Sequence, residues 1–319
     1  MISEEEWLEA AGALKAANEI VIACHVSPDG DALGSMIGLG RFLARQGKTV
    51  GMSWGSPTIE VPAQYTFLPG LDAVTAPSNL PDHIECFVAI DCGDAQRLGV
   101  LQPRFGAAET TVNIDHHISN DRFGHINLVD PDAASSSEMA YELIRRMGGT
   151  PDAEEATCLY TGIVTDTGRF QYSSTTPTTL RVAAELREIG VDHERVASEV
   201  YESTSFTYLH VLGIVLFRAR LEDGMVWSRV DQKDLQGLDL DETEHFIDAL
   251  RTVRESHVAV LLKEWPGGTY KASLRSRGEV DVAAIAQSLG GGGHARAAGF
   301  EMRGTPDEVI EAIRQRLPS

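Results

Sequence analysis

Short apolar runs alternate with stretches of helical period through the first half of the chain. Residues 20–24, 49–54, 86–90 and 111–114 are apolar runs of strand length and are read as buried strands. Ser3 and Glu6 form a capping-box pattern, and Trp7, Leu8, Ala11 and Leu14 then recur at helical spacing. Leu33, Ile37, Leu39 and Leu43 predict a helix that closes near Gly47. Ser135 with Glu138 opens another helix, through about Met147. Ala156, Leu159, Tyr160, Ile163 and Val164 give one apolar helical face leading into Thr165-Asp166-Thr167-Gly168, and a further helix runs from Pro177 to Gly190. Strands alternating with helices predict an α/β fold whose sheet is mainly parallel and flanked by helices.

The pattern changes after residue 190. Residues 191–212 read as a helical linker, and 213–319 as a smaller mixed α/β domain. Residues 211–220, 224–231, 257–263 and 269–274 are read as strands, and 243–252 and 282–289 as helices. Thr305-Pro306 starts a last helix, with Pro at its first position. The expected architecture is two domains, 1–190 and 213–319, with a cleft between them.

Composition narrows the class. Of 319 residues, 43% are hydrophobic and 23% charged, as in a globular protein with a substantial core. No apolar stretch approaches the ~20 residues of a membrane span, and the acidic start Met1-Ile2-Ser3-Glu4-Glu5-Glu6 is unlike a signal peptide. Cys24, Cys86, Cys92 and Cys158 lie in or beside apolar runs with no C-x-x-C pair, which predicts reduced, buried thiols and a cytoplasmic location. A net charge of −20 argues against broad binding to long nucleic acid. It is compatible with a small phosphorylated substrate held through metal ions.

The candidate chemistry sits where the strands end. The first run leads into His25-Val26-Ser27-Pro28-Asp29-Gly30-Asp31, the third ends at Asp91, and the fourth at Asp115-His116-His117. One such Asp is an ordinary turn former or helix cap. Three strand ends bearing acids, two with imidazoles, converge on one edge of a parallel sheet, where open α/β sheets bind ligands. Asp166 joins the set if its helix ends nearby. Mixed oxygen and nitrogen donors without thiolate suit Mn²⁺ or Mg²⁺, and there are too many for one ion. Two ions at one site imply hydrolysis of a phosphate ester or anhydride. No G-x-S-x-G, Walker A or G-x-G-x-x-G pattern offers another chemistry.

In the second half, Gly290-Gly291-Gly292-Gly293-His294 lies between a helix and a strand, which suggests close approach of backbone to a ligand, with His294 and Arg296 beside it. Lys271, Arg275 and Arg277 alternate along one strand and its end, forming either a solvated face or a phosphate-binding patch.

Taken in order, these motifs resemble the DHH phosphoesterase family: His25-x-x-x-Asp29-x-Asp31, Asp91, Asp115-His116-His117 with Asn120, and Thr165-Asp166-Thr167-Gly168. Ser273-Leu274-Arg275-Ser276, the tetraglycine-His and Ala297-Ala298-Gly299 resemble its associated substrate-binding domain. The likeness is greatest to the subgroup that degrades nano-RNA and dephosphorylates 3′-phosphoadenosine-5′-phosphate. It implies His25 and Asp29 on one ion, Asp31, His116 and Asp166 on the other, and Asp91 bridging. It implies His117 at the scissile phosphate, and Asp115 as ligand or as orienter of an imidazole. Lys271, Arg275, Ser276, Arg277, Gly291, Gly292, Gly293, His294, Arg296 and Asn120 would bind substrate. The implied substrates are very short RNA, linear dinucleotides such as pApA, and 3′-phosphoadenosine-5′-phosphate, with long duplexes and membranes excluded and a homodimer plausible. The alternatives are cyclic dinucleotides, pyrophosphate or polyphosphate with the same chemistry, or a silent nucleotide-sensing or RNA-binding module.

Overall fold

A computed structural model of the chain describes residues 2–317 apart from 236, 239–242 and 244, and apart from the side chain of His294. The chain divides into two compact units, Met1–Ser203 and Thr204–Ser319.

The first unit is built on five parallel strands: β1 (Glu19–Cys24), β2 (Thr49–Trp54), β3 (Cys86–Ile90), β4 (Thr110–Asp115) and β5 (Ile126–Val129), in the order β2-β1-β3-β4-β5. Its helices are α1 (Glu4–Ala16), α2 (Gly30–Arg45), α3 (Gln102–Ala107), α4 (Ser136–Arg146), α5 (Ala153–Asp166), α6 (Pro177–Ile189) and α7 (His193–Tyr201). Because side chains alternate along a strand, the apolar runs supply two faces at once. Ile20, Ile22, Val88, Ile90 and Ile114 enter a core shared with Leu33 and Ile37 of α2 and Leu159 and Ile163 of α5. Val21, Ala23, Phe87 and Ala89 meet Leu98, Leu101 and Phe105 on the other side. Phe87 and Phe105 pack edge to face at 5.2 Å, and truncating the fully buried Phe87 to Ala is worth about 3–5 kcal/mol.

Helices α2 and α5 cross at backbone contact. A Cβ on Gly34 would lie 2.4 Å from the Cys158 carbonyl oxygen, so only glycine fits this crossing. At the far end, Arg45 grips the buried Glu155 in a two-pronged fork, Nε–Oε1 and Nη2–Oε2 each 2.8 Å. The tight crossing brings the start of α2 beside the end of α5, and so Asp31 near Asp166.

The second unit carries α8 (Phe206–Phe217), β6 (Arg220–Glu222), β7 (Met225–Val230), α9 (Phe246–Arg251), β8 (Val258–Trp265), β9 (Thr269–Ser276), α10 (Val282–Ser288), β10 (Gly292–His294), β11 (Ala297–Arg303) and α11 (Pro306–Arg314). Its sheet runs β10-β11-β9-β8-β7-β6, antiparallel except for the β7–β8 pair. Met225, Val260 and Leu274 pack with Val282 of α10 and Val309 of α11, and Val226, Ala259 and Leu261 with Val211 of α8 and Phe246 of α9.

The α/β class agrees with the sequence pattern, with local differences that include the unexpected helix α3 and strand β10. Residues 211–217, expected as part of a strand, belong to α8; Ser205 caps the helix by accepting from the Tyr208 amide, and Val211 and Val215 are buried one turn apart. Strand β5, four residues long, was not expected. Of the helix expected at 243–252, residue 244 lies outside the described residues and Phe246–Arg251 is helical. Among the described residues, no helix is long and apolar enough to cross a membrane.

Candidate metal centre

Strands β1, β3 and β4 are neighbours in the sheet, so the turns beyond their carboxyl ends meet. The turn after β1 is pinned by the Val26 amide donating to the Arg97 carbonyl at 2.9 Å. Ser27 there has φ 55°. Asp29 is the N-cap of α2, accepting from the Asp31 and Ala32 amides at 3.0 Å each. Asp31, in the first turn of α2, is therefore free of the capping role and is buried inward. Asp91 has φ 58°, a left-handed conformation that Asp tolerates better than most residues, and its amide donates to the Ile114 carbonyl at 2.9 Å.

Three overlapping groups of ligand atoms result, each within 4.8 Å: His25, Asp29 and Asp91; Asp31, His116 and Asp166; and Asp91, His116 and His117. The first two are the ligand sets that the sequence motifs imply, with Asp91 in two groups of the three. His25 donates from Nδ1 to the Val26 carbonyl at 2.8 Å, which leaves Nε2 facing Asp91 Oδ2 at 3.5 Å and Asp29 Oδ1 at 3.9 Å. A backbone acceptor that fixes the free nitrogen of an imidazole is characteristic of metal-binding histidines. His116 Nε2 lies 3.4 Å from Asp166 Oδ2 and 3.7 Å from Asp91 Oδ1.

The electrostatics of so many buried acids are unfavourable without cations. Burial first, then the charges of Asp91 and Asp29, push Asp166 up to about 8. Burial, Asp91 and Asp166 likewise raise Asp31 well above the usual carboxylate range. Burial acts upward on Asp91 too, yet the His25 hydrogen bond and the charges of His116, His25 and His117 bring it well below that range. A donor set whose buried carboxylates Asp31 and Asp166 are costly to ionise without a counter-charge, with an imidazole already oriented by its second nitrogen, fits divalent cations.

His117 differs from its neighbour. Its Nδ1 donates to Asp115 Oδ1 at 2.7 Å, and that bond outweighs burial to raise it to about 9. Asp115 is fully buried. Its other oxygen accepts from Asn120 Nδ2 at 2.6 Å; the same nitrogen lies 2.8 Å from Asn113 Oδ1 and 3.0 Å from the Cys92 carbonyl. The Asn120 oxygen accepts from the Arg122 amide at 2.6 Å. Asn120, expected at the substrate, thus has its amide turned inward as a brace for Asp115, and Asn113 completes that brace.

Sequence reasoning missed three contributors. Asn113 sits at an inward position of an apolar strand. Ser136 and Ser137, read as part of a helix cap, turn both amides on Asp31, at 2.6 Å to Oδ2 and 2.9 Å to Oδ1. The run of three serines followed by Glu138, at the start of a helix, was the available signal: a helix N-terminus favours a carboxylate.

In the second unit, Lys271 and Arg275 share a face of β9, and Arg277 lies beyond its end. Arg275 pairs in register with Ala297, and the Ser276 amide donates to the Arg296 carbonyl at 3.0 Å, so this end of β9 adjoins the β10–β11 turn. Arg296 is exposed in that turn, and the side chain of His294 lies outside the described residues. The glycines make a close approach, but to their own chain. A Cβ on Gly291 would lie 2.1 Å from the Gly299 oxygen, and one on Gly293, at φ 137°, 2.5 Å from the Ala297 oxygen. Gly292 has open space around it.

With this geometry in place, comparison with known proteins is decisive. Residues 19–163 match the DHH family, N-terminal domain, and residues 228–318 match the DHHA1 domain. The chain belongs to the DHH family. The DHH relatives include the bifunctional oligoribonuclease and PAP phosphatase NrnA of Thermus thermophilus, 37% identical over 93% of this chain and 90% of that protein. The NrnA protein of Bacillus subtilis is 28% identical over 88% of each chain. Among solved DHH-type structures, an exopolyphosphatase-related protein from Bacteroides fragilis superposes with a TM-score of 0.92 at 27% identity, covering 99% of this chain and 96% of its own.

Proposed function

We propose that this DHH protein is a two-metal-ion phosphoesterase. It releases nucleoside 5′-monophosphates from very short RNA and linear dinucleotides such as pApA, and converts 3′-phosphoadenosine-5′-phosphate to AMP. The observation that carries the reading is the set of ligand groups joined through Asp91 and His116, in a chain similar over nearly its whole length to proteins named for these activities.

In this reading His25 and Asp29 hold one ion, Asp31, His116 and Asp166 the other, and Asp91 both. Mn²⁺ is the proposed ion, with Mg²⁺ as the alternative. Bound ions supply Lewis acidity toward the phosphoryl oxygens and toward water. The chain's own groups do the rest. The Asp115 hydrogen bond favours the protonated form of His117, raising it to about 9 in the metal-free chain, which suits it to stabilise phosphoryl charge or donate a proton. Asp115 keeps the ring oriented through Nδ1, leaving Nε2 toward substrate, and Asn120 and Asn113 hold Asp115. The first unit performs the chemistry. Lys271, Arg275, Arg277, His294 and Arg296 of the second bind the nucleotide through their side chains, beside the open space at Gly292.

A Mn²⁺-dependent hydrolysis panel tests this. It sets pApA, a three-to-five-nucleotide RNA, a 24-mer RNA, 3′-phosphoadenosine-5′-phosphate, cyclic di-AMP, polyphosphate and pyrophosphate side by side. Mononucleotide release from the short substrates with the 24-mer spared supports it. Phosphate release from pyrophosphate or polyphosphate alone rejects the substrate assignment. A cytoplasmic location and a homodimer are further proposals; cell fractionation and light scattering test them.

A further inference from the structure

Ser136 is fully buried at the first position of α4, between two carboxylates that belong to different ligand groups. Its amide lies 2.6 Å from Asp31 Oδ2, and its hydroxyl donates to Asp91 Oδ1 at 3.0 Å. We propose that Ser136 is a positioning residue that couples the two ion sites: its backbone fixes Asp31 while its side chain fixes Asp91. The proposal rests on reading the cluster as a two-ion centre.

The geometry of Asp91 explains why a single hydroxyl matters. Its Oδ2 faces His25 Nε2 at 3.5 Å, while its Oδ1 faces His116 Nε2 at 3.7 Å and His117 Nδ1 at 3.8 Å. The residue can serve both ion sites only while each oxygen keeps its own side. The terminal torsion of an aspartate is soft, so the carboxylate can rotate unless something holds it. The backbone, set at φ 58°, fixes where the side chain starts but not the plane of its carboxylate. The Ser136 hydroxyl holds that plane from the Oδ1 side. Its neighbours have other duties: Ser135 Oγ accepts from the Glu138 amide at 3.0 Å, and Ser137 Oγ lies 3.4 Å from the Asp31 carbonyl.

Removing the hydroxyl leaves the amide bond to Asp31 intact, so the effect of the side chain can be read alone. Metal-free wild type, Ser136→Ala and Ser136→Thr are titrated with Mn²⁺ by calorimetry, and each is assayed on pApA. The expected result is Mn²⁺ binding weakened by about 10–100-fold in Ser136→Ala, the range seen when groups supporting metal ligands are removed. The turnover number falls with little change in KM, and Ser136→Thr, which keeps a hydroxyl, restores affinity. If the Ala variant does not fold, Ser136→Cys, a near-isostere with a poor donor, gives the same readout. A wild type that binds Mn²⁺ and an Ala variant that binds it equally tightly overturn the role of Ser136 alone. A wild type that takes up no Mn²⁺ overturns the two-ion reading, and this proposal with it.

Discussion

Gly162 on α5 is the position where packing and chemistry are most tightly joined. A Cβ there would lie 1.9 Å from Ser137 Oγ, 2.8 Å from Ser137 Cβ and 2.7 Å from Asp31 Oδ1. The hydroxyl can rotate away, but the Ser137 Cβ cannot, and the Asp31 carboxylate moves only by straining its hydrogen bonds to the Ser136 and Ser137 amides. Ordinary contact begins near 3.4 Å, so Gly162→Ala displaces that carboxylate by about 0.7 Å. The shift exceeds the ~0.5 Å within which a functional group must be held. Overpacking of this kind costs about 1–3 kcal/mol. For a unit of this size that lowers the Tm by roughly 2–12 °C. A misplacement approaching 1 Å costs on the order of 100-fold in rate. The assay is a thermal melt with and without Mn²⁺, paired with AMP release from pApA. Gly12→Ala, at an exposed position of α1 with nothing within 4 Å of the new methyl, is the control for helix propensity and raises stability by up to about 1 kcal/mol. If Gly162→Ala melts as the wild type does, with Mn²⁺ affinity and kcat/KM within threefold, the close approach of α5 to Asp31 is wrong.

Other perturbations follow the same logic. Asp115→Asn removes the charge that raises His117 and lowers turnover by about 100-fold or more while metal content is kept; wild-type turnover rejects the pairing. Metal-free protein loses stability as pH rises from 6 to 9. Asp166, at about 8 instead of 3.8, and His117, at about 9 instead of 6.5, bind protons in the folded state that the unfolded chain has released. Bound Mn²⁺ takes the place of the proton on Asp166, so that part of the slope flattens and binding releases protons to the buffer; an unchanged Tm profile on metal removal contradicts this. Arg275→Ala raises KM for pApA far more than it alters Mn²⁺ binding, and unchanged kinetics removes Arg275 from the substrate contacts.

Much of this was legible because burial leaves a plain mark. Strands covered on both faces are continuous apolar runs, so the acids that end them stand out at Asp91 and Asp115. The short strand β5 has no comparable run. The segment 206–217 is apolar nearly all round, and neither period appears; its helix is set by the cap at Ser205 and by packing. The residues around the ligands were harder to see. Ser136 and Asn113 act through buried hydrogen bonds across 45 and 7 positions of sequence, to Asp91 and to Asn120. Nothing local in the chain encodes such pairings. The glycine run was read as a ligand cradle, whereas two of its members are required by contact with β11.

The central claim is that the cluster around Asp91 hydrolyses short nucleotides with divalent ions. Its most direct test is AMP release from pApA with and without Mn²⁺, by wild type and by Asp91→Asn, a substitution that keeps the side chain's size and tolerates the left-handed backbone. Mn²⁺-dependent AMP release is expected from wild type and, from a folded Asp91→Asn, a loss of about 100–1,000-fold, the cost of deleting a single group that stabilises transition-state charge. Turnover by Asp91→Asn within tenfold of wild type, or release independent of added metal in chelated protein, would contradict it.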